Sequence, residues 1–379
     1  MEAPLRVAGA HPFGLDAPPD SWGQQPCDVR IDVVMTPPMT PIARSLSGLA
    51  ALAILCAVSA LGAPPPSPAS TPNEQILHAQ IFLDGSAFKP GAIDAKWGEF
   101  MRKALTRYEE AQGKTDPHFG EKPPAQFDLP MDASQPALIS YQLSSNDEKF
   151  IGPMPESHAK QAKLDALPYA NFLELVGEKF HARRDFLKQI NPGYDWSKAK
   201  AGDSVQVPNV AAPFDVQEAI DLKQKTEAAE KSHSLTTEDK KPPDEQYSIS
   251  VSVAEKILEL HQNGKLVGSY PITPGSKTLP APIGEWFVRG FVWMPTFRWD
   301  EAMLQHDERS SNFYKLPSGP NNPVGILWME LNHKGSGIHG TEAPETIGRT
   351  TSHGCIRLSN WNVLDLGKKV LPGVHVTIR

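Results

Sequence analysis

The chain has 379 residues, room for two or three domains of ordinary size. Its 40% hydrophobic and 21% charged residues exclude a polytopic membrane protein, and a net charge of −7 excludes a global basic field for holding nucleic acid. Three cysteines exclude a disulfide framework, and 37 prolines, about twice the usual ~5%, imply Pro-rich linkers.

Residues 1–38 read as Pro-rich coil or a mis-assigned start, with translation beginning at Met35 or Met39. Residues 39–63 read as a secretory signal, because Arg44 precedes a Leu/Ala-rich run that ends in small residues; left uncleaved, the run would act as a membrane anchor. Export implies a periplasmic or cell-envelope location. Cleavage would also remove Cys27 and Cys56 and leave Cys355 as the one thiol of the mature protein, in a compartment where unpaired thiols are avoided.

A Pro-rich linker spans 64–72. Residues 73–114 read as a small helical unit: Ile76, Leu77, Ile81 and Leu83 on one helix, then the turn Phe88-Lys89-Pro90-Gly91-Ala92-Ile93-Asp94, then Phe100, Leu105 and Tyr108 on a second. That order resembles a peptidoglycan-binding helical domain. Residues 115–163 read as an irregular connector with one apolar patch, 137–143.

In 164–210, Phe172, Leu173 and Val176 form one helical stripe and Phe186, Leu187 and Ile190 another, stopped by Asn191-Pro192-Gly193. A Gly202-Asp203 turn and the strand Ser204-Val205-Gln206-Val207 follow. The segment resembles a LysM-type βααβ glycan-binding unit, although an opening strand is not evident. Residues 211–245 mix Lys and Glu without an apolar stripe and read as a solvated helix and charged linker.

From 246 the pattern turns to strands. Tyr247, Ile249, Val251 and Val253 alternate with serines, and Asn263-Gly264 marks a hairpin between 257–261 and 265–272. Further strands are expected at 285–292, 325–331 and 374–378, and helix near 301–306 and 360–370. The fold class is therefore multidomain α+β, with a mostly-β domain at the C-terminus large enough for its own core.

The chemistry concentrates in Gly337-Ile338-His339-Gly340-Thr341 and Ser352-His353-Gly354-Cys355-Ile356-Arg357-Leu358. A thiol acyl transferase needs a base beside the sulfur, backbone N–H groups aimed at the developing oxyanion, and a small neighbour that lets substrate approach. These segments supply all three. The alternative, a zinc site, lacks a third ligand at metal spacing, since His333 stands alone.

With Gly319-Pro320-Asn321-Asn322-Pro323-Val324-Gly325 ahead of it, residues 279–284, and Asn360-Trp361 behind it, the string resembles the YkuD-type L,D-transpeptidase catalytic domain across 246–379. Asn362 departs from the family's usual Asp. The resemblance implies Cys355 as nucleophile, His339 as general base or imidazolium partner, and Gly340 orienting that ring through its carbonyl. It implies His353 and Gly354 shaping the pocket, with Gly354 and Cys355 amides forming the oxyanion hole. Arg357 would pair with a substrate carboxylate, and Ser352 and Thr341 would complete the substrate-binding set, although Ser352 also reads as a residue that holds its loop. It implies neither metal nor cofactor.

The expected reaction is formation of a Cys355 thioester with a tetrapeptide stem, release of D-Ala, and transfer to an amine of another stem or of an envelope protein. The expected partners are thus peptidoglycan stem peptides and glycan strands, with no nucleic acid. Two alternatives remain open here: a cysteine L,D-carboxypeptidase that uses water as acceptor, and a non-catalytic wall-binding protein.

Overall fold

A computed structural model describes residues 73–132, 134–232, 246–276, 279–306, 308–352 and 354–379. The signal at 39–63, the coil at 1–38, the linker at 64–72 and His353 lie outside the described residues.

The C-terminal domain is built on eight strands: β3 (Tyr247–Ser252), β4 (Ile257–Gln262), β5 (Lys265–Pro271), β6 (Gly284–Trp293), β9 (Leu327–Leu331), β10 (Gly337–His339), β11 (Ile356–Arg357) and β12 (His375–Ile378). Their order is β11-β10-β9-β6-β12-β3-β4-β5, antiparallel except for the β12/β3 and β10/β11 pairs. The β4–β5 hairpin turns at Asn263 (φ 51°) and Gly264 (φ 76°), both left-handed, as a two-residue turn matched to strand twist requires. β7 (Phe297–Trp299) and β8 (Tyr314–Leu316) form a separate hairpin between β6 and β9.

Beyond β5 the chain runs on beside the opposite end of the sheet. Thr273 exchanges two backbone hydrogen bonds with Arg357 (2.9 and 3.0 Å), and Gly275 bridges Ser352. The sheet therefore curls until its two ends meet, and β11 is held from both sides.

One face of the curl buries Ile249, Val251, Leu258, Leu260, Met329, Ile338, Ile356, Val376 and Ile378. Helix α9 (Asn360–Lys369) packs on the same core through Val363 and Leu366. Each such side chain contributes ~1.5–3 kcal/mol by leaving water, which is what fixes strands as short as β10 and β11.

Ahead of this domain, α1 (Glu74–Gly85) and α2 (Glu99–Ala111) form the helical pair. Asn73 caps α1 by accepting from the Ile76 amide at 3.2 Å. β1 (Leu138–Gln142) pairs antiparallel with β2 (Ser204–Pro208), and α5 (Phe172–Lys179) and α6 (Arg184–Ile190) lie between them in a βααβ order. The opening strand thus falls inside the stretch expected to be an irregular connector. That stretch also carries the single-turn helices α3 (Ser145–Glu148) and α4 (His158–Gln161). The helix expected in the charged segment is present but not wholly solvated, and residues 233–245 of that segment lie outside the described residues. The helix is α7 (Val216–Ser232), whose Val216 and Ala219 are buried in the C-terminal core. Helix α8 is Glu301–His306.

The N-terminal elements are docked on the C-terminal domain rather than strung ahead of it. Lys89 N–H donates to Ser269 (2.8 Å) and Ser269 N–H to Ala87 (2.9 Å), which covers the β5 edge that would otherwise stay open. Leu167 N–H donates to Ser318 (2.9 Å), and a Cβ on Gly319 would overlap the Leu167 backbone. Among the described residues no helix is long and apolar enough to cross a membrane.

Candidate active site

The parallel β10/β11 register pairs Ile338 with Ile356 and His339 with Arg357. Side chains alternate across a sheet, so Ile338 and Ile356 enter the core while His339 and Arg357 share the opposite face. Cys355, two residues before Arg357, falls on that face beside Gly337.

His339 is 4% exposed, and its Nδ1 lies 2.6 Å from the Gly340 carbonyl oxygen. A carbonyl only accepts, so this bond assigns the proton to Nδ1 and leaves Nε2 bare. Burial lowers the imidazole pKa to about 3; the Arg357 charge adds to that, and the Gly340 bond opposes it only in part. The Trp328 indole stacks on the ring at 5.4 Å and 23°. A Cβ on Gly337 would also overlap Trp328, so glycine is what lets the indole lie between positions 337 and 339.

Cys355 keeps part of its surface open. Burial of the sulfur pushes the thiol up to about 11, against a hydrogen bond from the Gly337 amide and the Arg357 charge, both of which lower it. The thiol lies 3.8 Å from the Gly335 carbonyl oxygen, to which it donates. Both shifts favour the uncharged forms, thiol and imidazole.

Gly354 turns the chain into Cys355 at φ +91°, which disfavours any residue with a Cβ. Ser352 is buried, and its hydroxyl donates to the Cys355 carbonyl at 2.5 Å. Thr341 is buried as well; its hydroxyl donates to Glu342 (3.0 Å) and accepts from the Ala343 amide (3.2 Å). Both hydroxyls, expected among the substrate contacts, also hold the loop. Arg357 is only partly exposed, and its Nε is buried with no hydrogen-bond partner among the described residues.

The residue that ties this face together is Asn360, fully buried at the start of α9. Its Oδ1 accepts from the Ile326 and Thr341 amides (3.2 Å each), and its Nδ2 donates to the Pro320 carbonyl (3.1 Å). Cβ atoms on Gly325 or Gly340 would overlap that Oδ1, so both glycines are needed for the amide to reach in. Sequence reasoning noted Asn360 only as a neighbour of the motif, and Trp328 gave no signal at all. Among the described residues, no group of three or more His, Cys, Asp or Glu side chains is placed to hold a metal.

Comparison with known proteins bears on residues 246–378, which match the family model described as the L,D-transpeptidase catalytic domain. YkuD of Bacillus subtilis (strain 168), which bears an L,D-transpeptidase name, is 33% identical over 206 residues, 54% of this chain and 92% of its own length. YkuD of Bacillus licheniformis is 28% identical over the same shares. Among solved structures, L,D-transpeptidase 3 of Mycobacterium tuberculosis in complex with a faropenem-derived adduct is 18% identical, with a TM-score of 0.30. That match covers 35% of this chain and 60% of that one.

Proposed function

Because this chain belongs to the L,D-transpeptidase family, we propose that it is a cell-envelope acyltransferase that uses Cys355 as nucleophile on peptidoglycan stem peptides. The observation that supports this most directly is the pairing of His339 with Arg357 across β10 and β11, with Cys355 immediately before β11.

In this reading the thiol of Cys355 attacks the carbonyl carbon of the third residue of a tetrapeptide stem while His339 Nε2 takes its proton. Transfer during attack suits a pair that rests uncharged, since neither group must hold a buried charge beforehand. The tetrahedral oxyanion is met by the Gly354 and Cys355 amides. As the C–N bond breaks, His339 returns the proton to the leaving amine of D-Ala, and a thioester remains on Cys355. An amine from a second stem or an envelope protein then attacks the thioester carbonyl. His339 takes the amine's proton and returns it to sulfur, which restores the thiol. The Arg357 guanidinium pairs with a stem carboxylate, a geometry its planar fork favours.

We assign wall binding to the helical pair and the βααβ segment, which would present glycan to an enzyme already docked against them. Full-length Cys355→Ala should then co-sediment with purified sacculi.

Incubation of the full chain with tetrapeptide muropeptides, followed by mass analysis, tests the reaction. Cross-linked dimers that disappear in Cys355→Ala are the expected result. Tripeptide monomers alone would assign water as acceptor, and an unchanged tetrapeptide would leave a non-catalytic wall protein.

A further inference from the structure

We propose that Arg184 and Phe100, both outside the domain that carries Cys355, are positioning residues for the acyl transfer. They hold the 341–352 loop, which joins His339 to Cys355, in the register that the reaction needs. The inference rests on the reading of Cys355 as nucleophile.

The loop has little regular structure of its own, with one 3₁₀ turn at Pro344–Thr346. Long irregular segments sample many conformations unless tied down. Two ties come from the N-terminal units. Arg184 opens α6 and directs three donors at the Glu345 carboxylate: Nη2 at 3.0 Å, Nε at 3.2 Å and the backbone N–H at 2.8 Å. The amide is one of the unpaired donors at a helix start, and the guanidinium fork meets both oxygens at once. Burial would raise the Glu345 carboxyl, but Arg184 holds it below the ordinary range.

Three residues further on, the Phe100 ring from α2 occupies the space that a Cβ at Gly348 would need. Gly348 has φ +74°, donates its amide to Thr273 Oγ1 (2.8 Å) and receives Lys256 Nζ on its carbonyl (2.7 Å). Thr273 exchanges the two backbone bonds with Arg357 described above. A continuous contact path thus runs Phe100–Gly348–Thr273–Arg357 and ends two residues from the nucleophile. A second runs from Arg184 through Glu345 along the loop to Thr341 and Gly340, whose carbonyl fixes the His339 tautomer.

Interface glue alone would predict something different. A half-exposed ion pair adds little to global stability, so a kinetic effect without a matching stability effect identifies positioning.

The test uses full-length Arg184→Gln, Phe100→Ala and the charge swap Arg184→Glu with Glu345→Arg. Three quantities are read: the rate of Cys355 acylation by a carbapenem (intact mass and peptide mapping), kcat and KM on muropeptides, and Tm. Acylation and kcat should fall roughly 5- to 50-fold in the first two variants, the range expected for slight misplacement of reacting groups, with KM and Tm near wild type. The swap should recover most of the rate. Glu218→Gln, which breaks an ion pair with Lys368 elsewhere on the docking surface, should leave all three unchanged.

Wild-type rates in both Arg184→Gln and Phe100→Ala, with the adduct still on Cys355, would overturn the positioning role alone. A rate loss that tracks Tm and is not recovered by the swap would overturn it as well. An equal adduct on Cys355→Ala would overturn the nucleophile assignment and this inference together.

Discussion

The His181 imidazole lies parallel to the Trp361 indole, 5.3 Å between ring centres and 7° from coplanar, while its Nδ1 sits 2.8 Å from Asp84 Oδ2. Asp84 ends α1, His181 follows α5 and Trp361 belongs to α9, so one buried contact joins the helical pair, the βααβ segment and the C-terminal domain. Lys89 completes it by donating to the Asp84 carbonyl at 2.6 Å.

Acid stability should report this junction. Burial favours a neutral Asp84, but His181 and Lys89 outweigh it and bring the carboxyl from 3.8 down to about 2. A carboxyl lowered by folding stabilises the protein above its unfolded pKa, and that contribution is lost as pH falls through the folded value. Asp84→Asn should therefore cost on the order of 2 kcal/mol at pH 7 and flatten the loss of stability between pH ~4 and ~2. Denaturant titrations across that range measure it; parallel acid limbs for the two proteins would refute it.

Glu178 works in the opposite sense. It is buried, accepts from the Tyr169 hydroxyl and bonds Asn360 across the docking surface, and burial raises its carboxyl from 4.5 to about 8 despite both bonds. Folding thus favours the protonated form: the contribution is complete below pH ~4.5 and declines as pH rises through 8. Glu178→Gln keeps the shape and the neutral charge. It should raise stability by about 4 kcal/mol at pH 8 and by less than about 1 kcal/mol at pH 5. A variant equally or more destabilised at the higher pH would show that the carboxylate is accommodated after all.

The C-terminal domain was legible because period-2 alternation, an Asn-Gly turn and the His-Gly-Cys string are all local signals. Strands expected at 285–292 and 374–378 coincide closely with β6 and β12. The docking was not legible. Asp84, His181 and Trp361 are separated by about 100 and 180 residues, and nothing in their flanks indicates that they meet. β1 was missed for a related reason: its partner β2 lies more than 60 residues on, and a five-residue strand with mixed exposure has too few alternating positions to stand out. At the site, the motif pointed to Cys355, His339 and Arg357 but not to Asn360, whose role depends on three backbone groups from separate loops.

That role makes Asn360 a sensitive position. Asn360→Ala would leave the Ile326 and Thr341 amides and the Pro320 carbonyl buried without their partner. Each unsatisfied buried group costs ~1–3 kcal/mol, so a loss of roughly 3–5 kcal/mol is expected, with the Gly340–Thr341 backbone loosened beside His339. Hydrogen exchange should show the Ile326 and Thr341 amides losing protection more than those of β3 and β4. Uniform loss across the sheet would mean that Asn360 supports the fold but not the site.

The uncharged resting pair makes the last prediction, and it concerns reactivity without substrate. With the Cys355 thiol at about 11, the thiolate fraction should rise about tenfold per pH unit from 7 to 10, and alkylation by iodoacetamide should rise with it and show no plateau in that range. His339 is neutral throughout that range, so His339→Ala should leave the slope intact while lowering turnover by ~10²–10⁴. A plateau setting in near pH 6–7 that vanished in His339→Ala would demonstrate a standing thiolate–imidazolium pair, and proton transfer would then precede substrate binding rather than accompany attack.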